Sequence, residues 1–483
     1  MVDVELIFPP VSTKERYRKG VAKDAGGHVM PLGIAMISAY LKEKGIEVSV
    51  IDAAPDDLSP EQILDKIKKD SPKLVGISAL TMTFHKAVMI AETIKKELPD
   101  VLVVLGGVHP TVVPSEVLSG NDCFDILVIG EGEFTFHELF NAYKEHNFNR
   151  EKLLNSASIK SVKGLAFKRG REIIFTERRE LLVDLDQLPF PDRDAFDISK
   201  YRPLPNNYKL LPSINLIAFR GCPFDCTFCS ETAVSGRRLR CRSPEKVIDE
   251  IKLVIDKYGA KEISFWDDNL TVNSKWINRL LDLIIAEKLN IVWTCCARVD
   301  TVTPELLHKM KLAGCWNIFY GCESGSQQLL DNINKKTTLE QIKRAVALTK
   351  KEGIEVRASF MLALPGETPE LAQKTIDFAN EIEPDYVQYG VTTPYPGTQL
   401  FKDVEKWGTL IKDYTKYTAM KPVFIPYGYK DINEIMKMER KAMVSFYLRP
   451  KYILNRLLKI KSFDDIKRYY FGLKFVLSYR RYV

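Results

Sequence analysis

Three thiols stand within the run Gly221-Cys222-Pro223-Phe224-Asp225-Cys226-Thr227-Phe228-Cys229, a CxxxCxxC spacing directly after the apolar stretch Ile214 to Phe219. An apolar run of that length bounded by glycine reads as a buried strand, so the thiols occupy the loop that leaves it. Three closely spaced thiolates can hold three irons of a cubane cluster and leave the fourth open to a small molecule. Two other uses fit less well. Structural zinc takes four ligands, so this run would need a fourth such as Cys241. Disulfides belong to oxidising compartments, whereas nine cysteines in 483 residues with no secretory leader point to a reducing one.

With the aromatic Phe228 ahead of its last cysteine, the run resembles the signature of the radical S-adenosylmethionine (radical SAM) superfamily. The resemblance implies that Cys222, Cys226 and Cys229 ligate a [4Fe-4S] cluster whose open iron chelates the methionine moiety of S-adenosylmethionine. Reduction would then cleave the sulfonium and release a 5'-deoxyadenosyl radical.

A chain of this length, 45% hydrophobic, can bury two or three cores. No run of about 18 apolar residues occurs, and Met1 to Pro10 lacks a basic start with an apolar signal core, so a cytoplasmic location is expected. The net charge of +7 is concentrated at one end. From Arg449 to Val483 ten basic residues stand against only Asp464 and Asp465, which leaves the remainder nearly neutral.

Residues 1–145 alternate short apolar runs (Val4 to Phe8, Glu47 to Asp52, Leu74 to Ser78, Val101 to Leu105, Asp125 to Ile129) with stretches of helical period. That pattern predicts a Rossmann-like, doubly wound parallel sheet with its ligand crevice at the carboxyl ends of the strands. Those ends carry Ser78, Leu80 and Thr81, then Gly106, Gly107, Val108 and His109, then Glu131. Together they resemble the cobalamin-binding domain that precedes the radical module in one large subgroup, and the resemblance makes them candidate cobalamin contacts. The DxHxxG loop that donates a cobalt-ligating histidine in many such domains reads Asp52-Ala53-Ala54-Pro55-Asp56-Asp57 here. Its absence fits cobalamin held without a protein imidazole, and equally a domain that has kept the fold and lost the cofactor. His28, in a glycine-rich loop, is a further candidate contact.

Residues 146–210 read as a linker with a hairpin turning at Arg169-Gly170 and a proline-punctuated end at Leu188 to Asp192. Residues 211–402 supply six strands with intervening helices, too few for a closed eight-stranded barrel. A partial (β/α)6 barrel, the superfamily's fold, fits. At its strand ends Asp267 and Asp268 match family positions that hold the methionine amino group, while Arg298, Glu323 and Ser324 match those that engage carboxylate and ribose. Arginine offers a planar fork to a carboxylate. The competing reading for Arg298 is an ion pair with Asp300. Met361 to Thr368 resembles the family's fifth-strand segment, which usually has glycine where Ala363 stands.

Residues 403–483 read as a basic helical region with leucines and aromatics on one side and cations on the other, a pattern of peripheral membrane helices and of ordinary surface helices alike. No nucleic-acid-reading module accompanies the charge. Nearly the whole chain resembles the cobalamin-domain radical SAM group of anaerobic magnesium-protoporphyrin cyclases and hopanoid-biosynthesis enzymes. The resemblance implies hydrogen abstraction from an unactivated carbon of a hydrophobic, lipid-like or tetrapyrrole substrate, followed by cobalamin-dependent methyl transfer or oxidative carbon–carbon chemistry. An electron donor such as flavodoxin or ferredoxin is implied as well. Two alternatives stay open: a radical SAM enzyme with a vestigial cobalamin domain, for lipid coupling or methylthiolation, and a non-catalytic iron-sulfur sensor. Against methylthiolation, the N-terminal region holds only Cys123 where those enzymes carry three cysteines.

Overall fold

The computed structural model describes residues 2–11, 26–418 and 421–460, with 466, 469–470, 472–474 and 476–477 beyond them. Lys461, Lys467, Arg468, Arg480 and Arg481 of the basic tail therefore lie outside the described residues. The chain divides into two compact units. Met1–Ser12, Met30–Lys200 and Ser230–Gly236 form the first, and Thr13–Val29, Tyr201–Cys229 and Arg237–Val483 the second.

The first unit is built on β1 (Val4–Phe8), β2 (Val48–Asp52), β3 (Leu74–Ser78), β4 (Leu102–Gly106), β5 (Ile126–Val128), β6 (Leu165–Arg169) and β7 (Glu172–Phe175), in the order β2-β1-β3-β4-β5-β6-β7. β1 to β5 run parallel. Their near-continuous apolar sequences follow from burial on both faces. The hairpin β6–β7, expected in the linker, instead continues this sheet: β6 pairs antiparallel with β5. A hairpin whose alternate residues Leu165 and Phe167 are fully buried gains more by covering a sheet edge than by bridging domains.

The second unit carries β8 (Ser213–Leu216), the short antiparallel pair β9 (Phe219–Arg220) and β10 (Arg240–Cys241), then β11 (Glu262–Phe265), β12 (Val292–Ala297), β13 (Cys315–Glu323), β14 (Glu355–Leu362) and β15 (Tyr386–Val391). Six of these form one open parallel sheet, β15-β14-β13-β12-β11-β8, the expected partial barrel. Alternation assigns its faces. Along β13, Ile318, Tyr320 and Cys322 are fully buried toward the helices, and the Tyr320 hydroxyl lies 2.8 Å from Thr349 in the helix Leu339–Lys351. Asn317, Phe319, Gly321 and Glu323 take the opposite, lumen face.

Helix starts are written locally in the sequence. Ser59-Pro60-Glu61, Ser243-Pro244-Glu245, Thr303-Pro304-Glu305 and Thr368-Pro369-Glu370 each open a helix, with the hydroxyl accepting an N–H three residues on. Proline suits the first turn because its missing N–H would be unpaired there anyway, and the glutamate meets the positive end of the helix dipole.

Candidate functional site

The cluster loop is fixed at both ends. The buried carboxylate of Asp267, just past β11, accepts the N–H groups of Ala218 (2.9 Å) and Phe219 (2.6 Å), which sets the turn from β8 into β9. Burial pushes this carboxyl up to about 7, against the pull of those two N–H groups. Gly221, at φ +83°, then turns the chain into Cys222. On the far side Thr227 donates its N–H to Ile333 O (3.0 Å), Leu400 N–H donates to Thr227 O (2.8 Å), and Lys336 pairs with Asp225 at 2.9 Å. Cys222, Cys226 and Cys229 are all half-buried on this pinned loop.

Among the described residues no three His, Cys, Asp or Glu side chains are gathered as a single metal ion would need. A cubane asks for a wider triangle, because each thiolate binds its own iron. Cys241 does not complete a zinc set: its thiol is hydrogen-bonded with Asn273. Three half-buried thiols on a braced loop therefore fit a cluster.

Cations surround Cys226. Arg298 places Nη1 3.9 Å from the Cys226 sulfur and lies 3.7 Å over the Phe224 ring. Its fork is taken by Asp300 (Nε 3.0 Å, Nη2 2.8 Å), and Nη2 also donates to Lys335 O at 2.9 Å. The guanidinium thus forms the ion pair with Asp300 that competes with the expected contact to the methionine carboxylate, and it braces the cluster loop. Lys335, to which the sequence reading gave no role, is buried and donates to Glu323 at 2.7 Å, with its ammonium 5.9 Å over the Phe228 ring. Burial alone would lower its pKa, but Glu323 and Cys226 together raise it, so it stays charged. Nothing local in Asn334-Lys335-Lys336 distinguishes this lysine from a solvated one.

The other matched positions separate. Asp268 is exposed at the carboxyl end of β11. Its charge, after burial, contributes to raising the Cys222 thiol. Ser324 is fully buried, with its hydroxyl 3.0 Å from that of Thr375 and accepting Ser326 N–H. Those bonds close the turn that follows β13. Glu323, at φ +61°, sits on a bulge where β13 meets β14. Ala363 follows β14 at φ +58°, which explains why glycine is usual there. Its N–H donates at 2.5 Å to Glu367, a fully buried carboxyl that also accepts the Tyr429 hydroxyl at 2.6 Å.

In the first unit, Ser78, Leu80, Gly106, Gly107, Val108 and Glu131 are half-buried at the carboxyl ends of β3 to β5. A Cβ added at Gly106 would meet only Val128 at 3.8 Å, and one at Gly130 would meet nothing within 4 Å. Bare backbone with open space above it can be approached closely by a large flat ligand, so the crevice fits a corrin. At Gly107, at φ +98°, a Cβ would strike Ala79 O at 2.7 Å, so packing itself requires glycine there. Thr81 is nearly buried, and its hydroxyl lies 3.3 Å from Nδ1 of His109. His109 is fully buried, with its ring 4.2 Å from that of Phe84, and burial lowers its pKa to about 4. The ring of His109 is packed within the wall of the crevice. His28 is half-buried beside Gly27, whose N–H donates to Arg202 O at 2.7 Å.

Residues 18–140 match the B12 binding domain and residues 216–379 the radical SAM superfamily. The chain is 34% identical to an uncharacterized methyltransferase of Pyrococcus horikoshii, over 98% of each chain. It is 31% identical to the anaerobic magnesium-protoporphyrin IX monomethyl ester cyclase of Rubrivivax gelatinosus, over 85% of this chain and 72% of that one. Its fold is like that of the radical SAM methyltransferase TsrM from Kitasatospora setae, solved with cobalamin and a [4Fe-4S] cluster, at a TM-score of 0.70, 16% identity and 99% coverage of both chains.

Proposed function

The chain belongs to the family of radical SAM enzymes that carry a B12-binding domain, and on that premise we propose that it is a cobalamin-dependent methyltransferase acting at an unactivated carbon of a hydrophobic substrate. Bound to this chain, the cluster and S-adenosylmethionine supply the hydrogen-abstracting radical, and cobalamin supplies the methyl group. The observation that carries the reading is the braced loop of Cys222, Cys226 and Cys229 with Arg298 and Lys335 charged beside Cys226. Two cations next to one thiolate ligand favour the more negative, reduced cluster, the state that must cleave the sulfonium.

The chain's own residues do the holding. Asp267 shapes the loop, Lys335 and Glu323 link the end of β13 to it, and Glu367 fixes the backbone after β14. The identity to a methyltransferase over 98% of each chain favours methyl transfer. The cyclase relatives support oxidative carbon–carbon chemistry as the second reading.

The test uses anaerobically reconstituted protein with reductant and S-adenosylmethionine carrying a trideuterated methyl group. 5'-Deoxyadenosine is expected, together with methylcobalamin whose mass is raised by the three deuterium atoms of the transferred methyl group. Absence of 5'-deoxyadenosine would sink the reading. A flavodoxin or ferredoxin as electron donor, and a lipid-like or tetrapyrrole substrate, belong to the same proposal.

A further inference from the structure

Several buried cations of the second unit take carboxylate partners: Lys335 pairs with Glu323, Arg242 with Glu250, and Arg456 with Asp385. Arg357 does not. It stands on β14 at 8% exposure, and none of the described carboxylates forms an ion pair with it. Its guanidinium lies 4.1 Å over the Phe319 ring and donates one hydrogen bond, from Nη1 to the side-chain oxygen of Asn207. Nε is buried with no partner among the described residues. Burial pushes its pKa below the ordinary arginine value, and the nearby groups that oppose this are thiols and phenols such as Cys296 and Tyr447. A buried charge without a counter-charge is costly, and an anionic ligand would offset that cost.

Register and alternation place Arg357 on the lumen face. Phe319 is its neighbour on β13, and Ser359 follows two residues on, level with Gln388 of β15. Above it the lumen is open. Gln388 is exposed, Trp266 on the facing wall is 48% exposed, and a Cβ added at Gly390 would meet nothing within 4 Å. A molecule entering from the strand ends, where the cluster loop lies, would reach Arg357 with its far end. We propose that Arg357 is the substrate's anion-binding residue, receiving a carboxylate or phosphate carried by an otherwise apolar molecule whose reacting carbon stays nearer the cluster. This rests on the radical SAM reading of the same barrel and adds the substrate's charge class.

The experiment pairs two readouts on cluster- and cobalamin-loaded full chain. Equilibrium dialysis compares octanoate with methyl octanoate, octyl phosphate with octanol, and protoporphyrin IX with its dimethyl ester. In at least one pair the anionic member should bind about tenfold tighter, and Arg357→Gln should erase that preference. Whether octanoate or octyl phosphate gains more separates carboxylate from phosphate. Independently, Arg357→Met should raise the melting temperature of unliganded protein by about 3 °C or more, because a structural arginine would be missed and a ligand-awaiting one would not. A lowered melting temperature, or equal or absent binding of both members in every pair, overturns the proposal. Failure of the wild type to form 5'-deoxyadenosine would count against the radical reading instead, and leaves both of these readouts intact.

Discussion

Single residues behind the β14 loop explain a departure from the family's usual sequence. Ala363 has a left-handed backbone where glycine is customary, and it is held there by its N–H bond to Glu367. Replacing it with glycine removes the Cβ strain, so Ala363→Gly should stabilise the protein by about 1 kcal/mol in denaturant unfolding. Glu367 itself makes stability pH-dependent. Burial pushes its carboxyl from the ordinary 4.5 up to about 7. Between those values the folded chain keeps a proton that the unfolded chain has released, so stability falls as pH rises from about 4.5 through 7. Glu367→Gln should flatten that fall and leave the variant roughly 2–3 kcal/mol more stable than wild type at pH 8. Parallel slopes in the two proteins would refute this.

At the scale of elements, the site depends on joints between strand ends. Lys335, after the helix Gln327–Asn332, reaches Glu323 at the end of β13, and both side chains are buried. Breaking such a pair leaves a charge uncompensated, so Lys335→Met should destabilise by roughly 3–5 kcal/mol, while Lys335→Met with Glu323→Gln should recover most of the loss. Lys335→Met alone removes a cation near Cys226, so the cluster's midpoint potential should fall in that variant, as followed by electron paramagnetic resonance during redox titration, and the double variant, which loses one charge of each sign, should shift less. An unchanged potential would mean that Lys335 acts on folding alone.

Across the whole molecule, the helix Pro450–Leu458 sets its cations against carboxylates and turns leucines to solvent. Arg456 is buried and paired with Asp385, Lys459 reaches Asp385 and Glu355, and Lys451 pairs with Glu383. Leu454, Leu457 and Leu458 are instead 57%, 58% and 74% exposed. No helix among the described residues is long and apolar enough to cross a membrane. Exposed leucines on a basic chain end are complementary to an anionic bilayer surface. The full chain should therefore co-sediment with phosphatidylglycerol vesicles more than with phosphatidylcholine vesicles. Replacing Leu454, Leu457 and Leu458 by serine should remove most of that binding; retention by the triple variant would exclude this helix as the contact.

Strands, helix starts and the cluster loop could be read from sequence because each is a local pattern. Apolar runs of four to eight residues specify buried strands, Ser/Thr-Pro-Glu specifies helix starts, and CxxxCxxC marks the candidate cluster loop. Partnerships between distant residues left no such trace. The hairpin β6–β7 reads identically whether it bridges domains or extends a sheet. Arg298 and His109 occupy the expected strand ends, yet packing gave one to Asp300 and the other to the core. Lys335 and Arg357 look like ordinary cations until folding buries one against a carboxylate and the other against none. Local patterns in the chain sufficed for the initiating chemistry and for the alternation of strands and helices along it. Tertiary structure alone decided which charges are satisfied, because burial and pairing are properties of neighbours that the chain brings together only when folded.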